Sequence, residues 1–425
     1  MKITTNKING SVILDHICTD KFKKARFSVT FSLPADIKYY AAGALIFPVS
    51  MRRTEEFADF ASLCRRCDEL YAADIADTAS SRGGVLFRGL RAGMLDNKYA
   101  EDGVDILDGT MHVMSQIILA PVMSEKDIEN EKLNAINRIK AQKNSAFRFA
   151  WQRFREIMMR DYPGTLSAET ALNLLNALSK DDLEKYRQFM LEHANIEFFY
   201  CGEQSPESVT ELIKKHFAPL LEKRDTFPLC GARFTSKEPK FIDETGNYSQ
   251  SQLICGFSTD TIISDPDFYA AELANEIFGE GPVSKLFLNV REKKSLCYLC
   301  ASDYNEIAGV LTVESGIDAC DREKAQKEIF AQLSSLQRGN ISDAELEAAK
   351  MAIYADCAEA EDHPEDHEEF SRLARVFGGP STIDEYREGI SKVKKDDIAA
   401  AARKWKLDTV YFLHGTQEEA EDERN

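Results

Sequence analysis

Along this chain, alternating apolar and polar positions give way to helical periodicity and then return, twice and in the same order. Over Lys24-Ala25-Arg26-Phe27-Ser28-Val29-Thr30-Phe31 every second side chain is apolar, which predicts a half-buried strand. Ser251-Gln252-Leu253-Ile254-Cys255-Gly256-Phe257 predicts a strand early in the second half. More strands are expected around residues 85–90 and 309–313, and each half closes with one, at residues 198–200 and 409–413. Between them the spacing turns helical. Thr54 is placed as an N-cap, Glu55 and Glu56 complement the helix dipole, and an apolar stripe runs from Phe57 to Tyr71. Another helical stretch covers residues 208–221. Strands segregated from helical hairpins predict an α+β fold in which one sheet carries one helical layer.

Short stretches of the first half recur in the second. Ser124-Glu125-Lys126-Asp127-Ile128-Glu129-Asn130-Glu131-Lys132 resembles Ser342-Asp343-Ala344-Glu345-Leu346-Glu347-Ala348-Ala349-Lys350 in its Ser, most of its acids, one apolar position and its Lys. Lys180-Asp181-Asp182-Leu183 returns as Lys395-Asp396-Asp397-Ile398, Phe198-Phe199-Tyr200-Cys201-Gly202 as Tyr411-Phe412-Leu413-His414-Gly415, and Tyr40-Ala41-Ala42 as Tyr269-Ala270-Ala271. Four matches in one order make internal duplication the economical reading. The 425 residues suit two domains better than one core. The boundary is placed near Phe227, in a segment carrying Pro206, Pro219, Pro228 and Pro239, which gives homologous domains over residues 1–226 and 227–425.

Composition narrows the function classes. A formal charge of −18 argues against nucleic acid, whose phosphates require clustered Lys and Arg. Acidity could gather basic peptides, although solubility is its simpler purpose. The longest apolar run, Ala41 to Met51, lies between Lys38 and Arg52 and falls short of a membrane span. Met1-Lys2-Ile3-Thr4-Thr5-Asn6-Lys7 leads into no signal-type segment, so a cytoplasmic location is expected. The acidic run from Glu418 to Asn425 is expected to fray. Ten cysteines without a secretory signal read as reduced, mostly buried small hydrophobes. Cys64/Cys67 and Cys297/Cys300 have C-x-x-C spacing and could be drawn as a zinc-thiolate site. Against that, Cys64 and Cys67 fall in a helical pattern, and Cys297 and Cys300 fall in a strand-like run where residues three apart face opposite ways.

The segment from Ser284 to Tyr298, with Arg291 and Tyr298 seven positions apart, resembles a signature of the insulinase/pitrilysin metallopeptidase family. Asp265-Pro266-Asp267-Phe268-Tyr269 and Phe278-Gly279-Glu280-Gly281-Pro282-Val283-Ser284-Lys285-Leu286-Phe287 follow the family's order, and the whole chain is similar to its small bacterial two-domain form. The resemblance implies a clam-like molecule of two similar halves that pairs with another to enclose a peptide chamber. It also implies that Arg291 and Tyr298 reach the substrate at a zinc site held by another domain or subunit. Catalytic members carry H-x-x-E-H on the first helix of the N-terminal domain and a third ligand, Glu, on a later helix. Here the matching helix falls near Tyr40-Ala41-Ala42-Gly43-Ala44-Leu45-Ile46-Phe47 and contains neither His nor Glu. No shift of register rescues it, because no His occurs between His16 and His112 and no carboxylate between Asp36 and Glu55. Arg138 stands where the third ligand belongs, and a cation there would repel the metal.

His363-Pro364-Glu365-Asp366-His367 approximates the inverted motif, but Pro364 followed by acids reads as a helix start with His363 outside it. Gly279-Glu280-Gly281-Pro282 lacks the ending of a phosphate loop and reads as a turn between helices. Without the resemblance, Arg291 is an exposed residue in a basic turn and Tyr298 a half-buried strand residue. With it, the expected function is that of a non-catalytic subunit of a heterodimeric zinc endopeptidase. No cofactor is expected in this chain; zinc is expected in a catalytic homologue, its partner, and peptides as substrate. The rival readings are a purely structural or peptide-binding protein and, last, a hydrolase using His363 and His367.

Overall fold

The computed structural model describes residues 1–101, 103–222 and 224–416; the acidic run from Glu418 lies outside them. Its elements in the first half of the chain are β1 (Thr4–Lys7), β2 (Val12–Cys18), β3 (Lys24–Pro34), α1 (Tyr40–Ser50), α2 (Phe60–Glu69), β4 (Asp74–Arg82), β5 (Val85–Leu95), α3 (Ile106–Leu119), α4 (Glu125–Ala141), α5 (Ala146–Met158), α6 (Ala168–Ala177), α7 (Lys180–His193), β6 (Asn195–Gly202) and α8 (Pro206–Phe217). In the second half they are β7 (Lys240–Gly246), β8 (Ser251–Ser258), α9 (Phe268–Asn275), β9 (Leu299–Asn305), β10 (Val310–Ile317), α10 (Arg322–Gln337), α11 (Asp343–Ala360), α12 (Pro364–Phe377), α13 (Ile383–Lys392), α14 (Lys395–Ala402) and β11 (Lys406–Gly415).

The duplication read from short motifs is present in the sheet topology. One sheet runs β1-β2-β6-β3-β5-β4 and the other β7-β11-β8-β10-β9. In each, the strand that closes the half lies parallel to the first long strand, β6 on β2 and β11 on β7, and antiparallel to the next, β3 or β8. The remaining two strands follow antiparallel in both. Apart from β1 the two sheets have one connectivity, each with helices, which is the α+β arrangement expected.

The compact units are not continuous along the chain. The first comprises Met1–Arg138, Ala168–Cys230 and His363–Ser371; the second comprises Ile139–Ser167, Gly231–Asp362 and the chain from Arg372 onward. Thus α5, from the first half, is seated on the second sheet. Ala150, Phe154 and Met158, spaced by one helical turn, bury one face of it against Ile254, Tyr411 and Leu413. Gly256 makes the close approach feasible, since a Cβ there would stand 2.3 Å from the Met158 sulfur. Arg153 fixes the helix on its polar side by ion pairs with Glu244 at 2.6 Å and Glu156 at 2.8 Å. Conversely, the start of α12 belongs to the first unit. There Glu368 accepts from Ser28 at 2.6 Å and Arg26 at 3.3 Å, and Ser371 donates to Asp15 at 2.7 Å.

One local expectation needs correction. Thr54 caps no helix: its hydroxyl accepts from the Phe57 N–H at 2.9 Å within a turn, and its backbone bridges to Pro121. The helix starts at Phe60 because Asp59 and Ser62 form a reciprocal capping box, with Asp59 accepting from the Ser62 N–H at 2.7 Å. The helical stretch expected over residues 208–221 is present as an α-helix to Phe217 continued by a 3₁₀ turn, Ala218–Leu221, that carries Pro219. Among the described residues no helix is long and apolar enough to cross a membrane.

Candidate functional site

In the first unit, α1 is apolar on nearly every side. Ala41, Ala42, Leu45, Ile46, Phe47 and Val49 are all buried, so the helix serves as core rather than as a platform for polar ligands. A cation stands against it: the buried Arg88 guanidinium donates to the Gly43 carbonyl at 2.7 Å, and also to those of Ser80 at 2.7 Å and Phe87 at 2.8 Å. Burial pushes the Arg88 pKa down, with no carboxylate bonded to it to offset the cost. Just past α1, Arg52 pairs with Glu131 and Arg53 with Asp127, each at 2.7 Å, so the buried acids of α4 are taken up by arginines. Arg138 is exposed further along α4. Zinc does not fit here: α1 offers no nitrogen or carboxylate ligand, and a fixed cation already occupies its polar interior. Among the described residues no three His, Cys, Asp or Glu side chains form a metal-holding group.

The decoy motif resolves as a helix start. Pro364 opens α12, His363 stands outside it and exposed, and His367 is buried in the first unit.

Arg291 and Tyr298 lie in the second unit on an irregular stretch between α9 and β9. α9 widens at its end into a π-turn, Glu276–Glu280, closed by Gly281 N–H to Glu276 O at 3.0 Å. After the Gly281-Pro282 turn a second π-turn, Phe287–Glu292, carries Arg291, and Lys293 N–H reaches back to Leu288 O at 3.1 Å. Such five-residue hydrogen bonds reposition side chains relative to a regular helix and recur at functional sites. The segment is tied down from below: buried Lys285 donates to Glu345 at 2.6 Å and to Asn340 O at 2.8 Å, and Asn289 donates to Gln332 at 3.0 Å. Arg291 lies over the Phe287 ring at 4.8 Å, remains 42% exposed, and stands 3.6 Å from the Glu292 carboxylate. Ser295, at φ 51°, turns the chain toward β9.

Tyr298 is 67% exposed, so it is not the half-buried strand residue that the bare spacing suggests. Its N–H donates to Gly316 O at 3.1 Å, while its phenol makes no hydrogen bond among the described residues. β9 begins only at Leu299, and a bend at Tyr298 precedes it. Cys297, before that bend, is half-buried, whereas Cys300, within β9, is buried.

A feature missed in the sequence lies behind this stretch. Glu272, Glu276 and Glu280, four residues apart on α9 and its π-turn, stand near Asp303 and Asp356. Desolvation pushes Glu276 up to about 7 and Glu272 well above the carboxylate range, while Tyr386 donates to Glu272 at 3.1 Å. Asn275 donates to Glu280 at 2.6 Å and in turn accepts from Ser302 at 2.6 Å. The fourfold spacing was visible, but nothing local marks a glutamate face as buried.

Comparison with known proteins agrees with this geometry. The family model of the peptidase M16 inactive domain matches residues 177–353. Over 415 residues, covering 96% of this chain and 97% of the relative, the chain is 25% identical to the probable inactive metalloprotease YmfF of Bacillus subtilis (strain 168). A conserved protein from Enterococcus faecalis V583 superposes with TM-score 0.87 at 22% identity, covering 98% of this chain and 99% of that one. The peptidase M16 inactive domain from Pseudomonas fluorescens does so with TM-score 0.82 at 14% identity, covering 99% and 100%. With its duplicated sheets, its full-length inactive relative and an α1 without ligands, the chain is a homologue of the insulinase-type (M16) metallopeptidase family that lacks the zinc motif.

Proposed function

We propose that this chain is the non-catalytic subunit of a heterodimeric zinc endopeptidase that processes peptides in the cytoplasm. A catalytic homologue supplies zinc and general base, and this chain lends Arg291 and Tyr298 to a shared chamber. The observation that carries the reading is the pairing of an exposed guanidinium and an uncommitted phenol on a braced, π-turned segment, in a chain whose α1 cannot hold metal. A guanidinium and a hydroxyl are suited to donate hydrogen bonds to a peptide carbonyl and to the oxyanion that grows on it, an interaction strongest where water is scarce. Exposed donors on a stretch that also exposes apolar Val283, Leu288 and Leu299 fit a surface that meets an extended peptide better than one meeting solvent alone.

The test is reconstitution with a homologue bearing an intact H-x-x-E-H helix, assayed on unstructured peptides. The chain alone is expected to leave peptides intact, and the mixture to cut them in a chelator-sensitive manner. Chelator-sensitive cleavage by the chain alone would overturn the proposal.

A further inference from the structure

A cavity of about 680 Å³ lies in the second unit, walled by the end of α5 and the turn after it, by residues 233–237 and by the edge strand β7. Its size is that of a small-molecule site. One wall is apolar, made of half-buried Ile157, Tyr162 and Ile242 and buried Phe234. The remainder is cationic, with Arg153, Arg160, Arg233, Lys237 and Lys240, in a chain whose formal charge is −18. Three carboxylates also line it, and each is engaged. Asp408 is buried and accepts from the Lys237 N–H at 3.1 Å and the Thr409 hydroxyl at 2.7 Å. Glu244 takes Arg153 at 2.6 Å and the Tyr411 hydroxyl at 3.0 Å. Asp161 takes the Lys237 ammonium at 2.5 Å and also feels the charges of Arg160 and Lys240. Arg233 is drawn off by Asp265 at 2.8 Å. Among the described residues Arg160 pairs with no carboxylate, and Lys240 donates to the Ile157 carbonyl at 3.2 Å rather than to an acid. One carboxylate thus stands among three cations. By contrast, the cavity between α9, α13 and α14 has both its lysines taken, Lys404 by Asp267 at 2.7 Å and Lys392 by Glu388 at 2.6 Å.

We propose that this cavity binds an organic anion, a single carboxylate on an apolar body, with the carboxylate between Arg160 and Lys240 and the body along Ile157, Ile242 and Phe234. A guanidinium offers paired N–H donors that match a carboxylate, and the ammonium adds a point charge beside it. The walls are braced for this. Tyr162 donates to the Ala232 carbonyl at 2.6 Å, tying the turn after α5 to the segment opposite, and the Arg153 pair with Glu244 holds α5 on the sheet. Two sources carry this chemistry: the C-terminus of a peptide that ends in an apolar residue, and a free acid with an alkyl or aryl tail. The inference does not rest on the role proposed for Arg291 and Tyr298.

The test is calorimetry on the full-length chain with three probes: an acetylated Ala-Ala-Phe tripeptide as the free acid, the same tripeptide as its C-terminal amide, and phenylpropanoate. The free tripeptide acid is expected to saturate one site and the amide to bind at least about tenfold more weakly, since a charge-assisted hydrogen bond is lost. Arg160→Ala and Lys240→Met, each checked for an unchanged fold by circular dichroism, should each weaken the acid about tenfold. Arg155→Ala removes an exposed charge from α5 outside the cavity and should leave the affinity unchanged. Tighter binding of the tripeptide acid than of phenylpropanoate identifies a peptide terminus as the ligand, and the reverse order identifies a free acid. Equal affinity for tripeptide acid and amide, equal weakening by Arg155→Ala, or no binding of either acid at millimolar concentration overturns the proposal.

Discussion

α1 and α9 hold corresponding places in the two halves of the repeat, each following the matched strand of its sheet and each opening on Tyr-Ala-Ala or close to it. Their interiors differ. α1 is packed with apolar side chains, and at Gly43 it meets the Arg88 guanidinium and the Tyr186 hydroxyl. α9 carries Glu272 half-buried and, through its π-turn, Glu276 buried and Glu280 at the rim, and leads into the segment that presents Arg291. The difference teaches that one scaffold position tolerates either a closed core or a polar, strained one. Polar chemistry on this chain is therefore sought in the second unit.

The largest effect expected from breaking this comparison is on catalysis. Arg291→Ala and Tyr298→Phe should each slow peptide cleavage by the reconstituted pair about 10²-fold to 10³-fold, the usual loss for one oxyanion donor. Complex size and the partner's zinc content, measured alongside, should be unchanged; wild-type rates in both variants would make the purely structural reading the better account. The next effect is on the first unit's stability. Arg88→Leu leaves the buried Gly43 and Phe87 carbonyls, and the more exposed one of Ser80, without this donor and should cost roughly 3 kcal/mol in denaturant unfolding, since each unsatisfied buried group costs about 1–3 kcal/mol. A loss well under 1 kcal/mol would show that water replaces the guanidinium.

A smaller effect concerns pH. Glu276 has an ordinary value of 4.5 and a folded value of about 7, so between these pH values the folded state holds a proton that the unfolded state has released. Its contribution is therefore fully present below 4.5 and is lost as pH rises toward 7, at up to about 1.4 kcal/mol per pH unit per group. Carboxylates held down by ion pairs, such as Asp127 with Arg53 and Glu244 with Arg153, work in the opposite sense and are lost as pH falls through their depressed values. Unfolding monitored against pH should thus show stability rising from pH 7 toward 5 before acid unfolding sets in. Glu276→Gln should flatten that rise, and a wild-type slope in the variant would place the linkage elsewhere.

Much of this was legible in the sequence, because the patterns that carried it are local and periodic. The alternation at residues 24–31 and the recurring Ser-acid-Lys helix starts needed no tertiary information, and His363 outside a helix opened by Pro364 followed from proline chemistry alone. The absence of ligands on α1 was equally plain, since a missing His cannot be supplied by folding. What stayed hidden depends on partners distant in sequence. The seat of α5 on the second sheet rests on Gly256, Ile254 and Tyr411, and the start of α12 on Asp15, Arg26 and Ser28. The π-turns escaped because a one-residue change in hydrogen-bond register leaves no mark in hydrophobic spacing.

The central claim, that α1 has become core and cannot hold the metal of its catalytic relatives, is tested most directly by the zinc content of the purified chain after exhaustive dialysis. The account predicts a content far below stoichiometric, whatever the zinc supply during expression. Retention of about one zinc per chain would contradict it, because a tightly held zinc requires about four ligands that α1 does not offer.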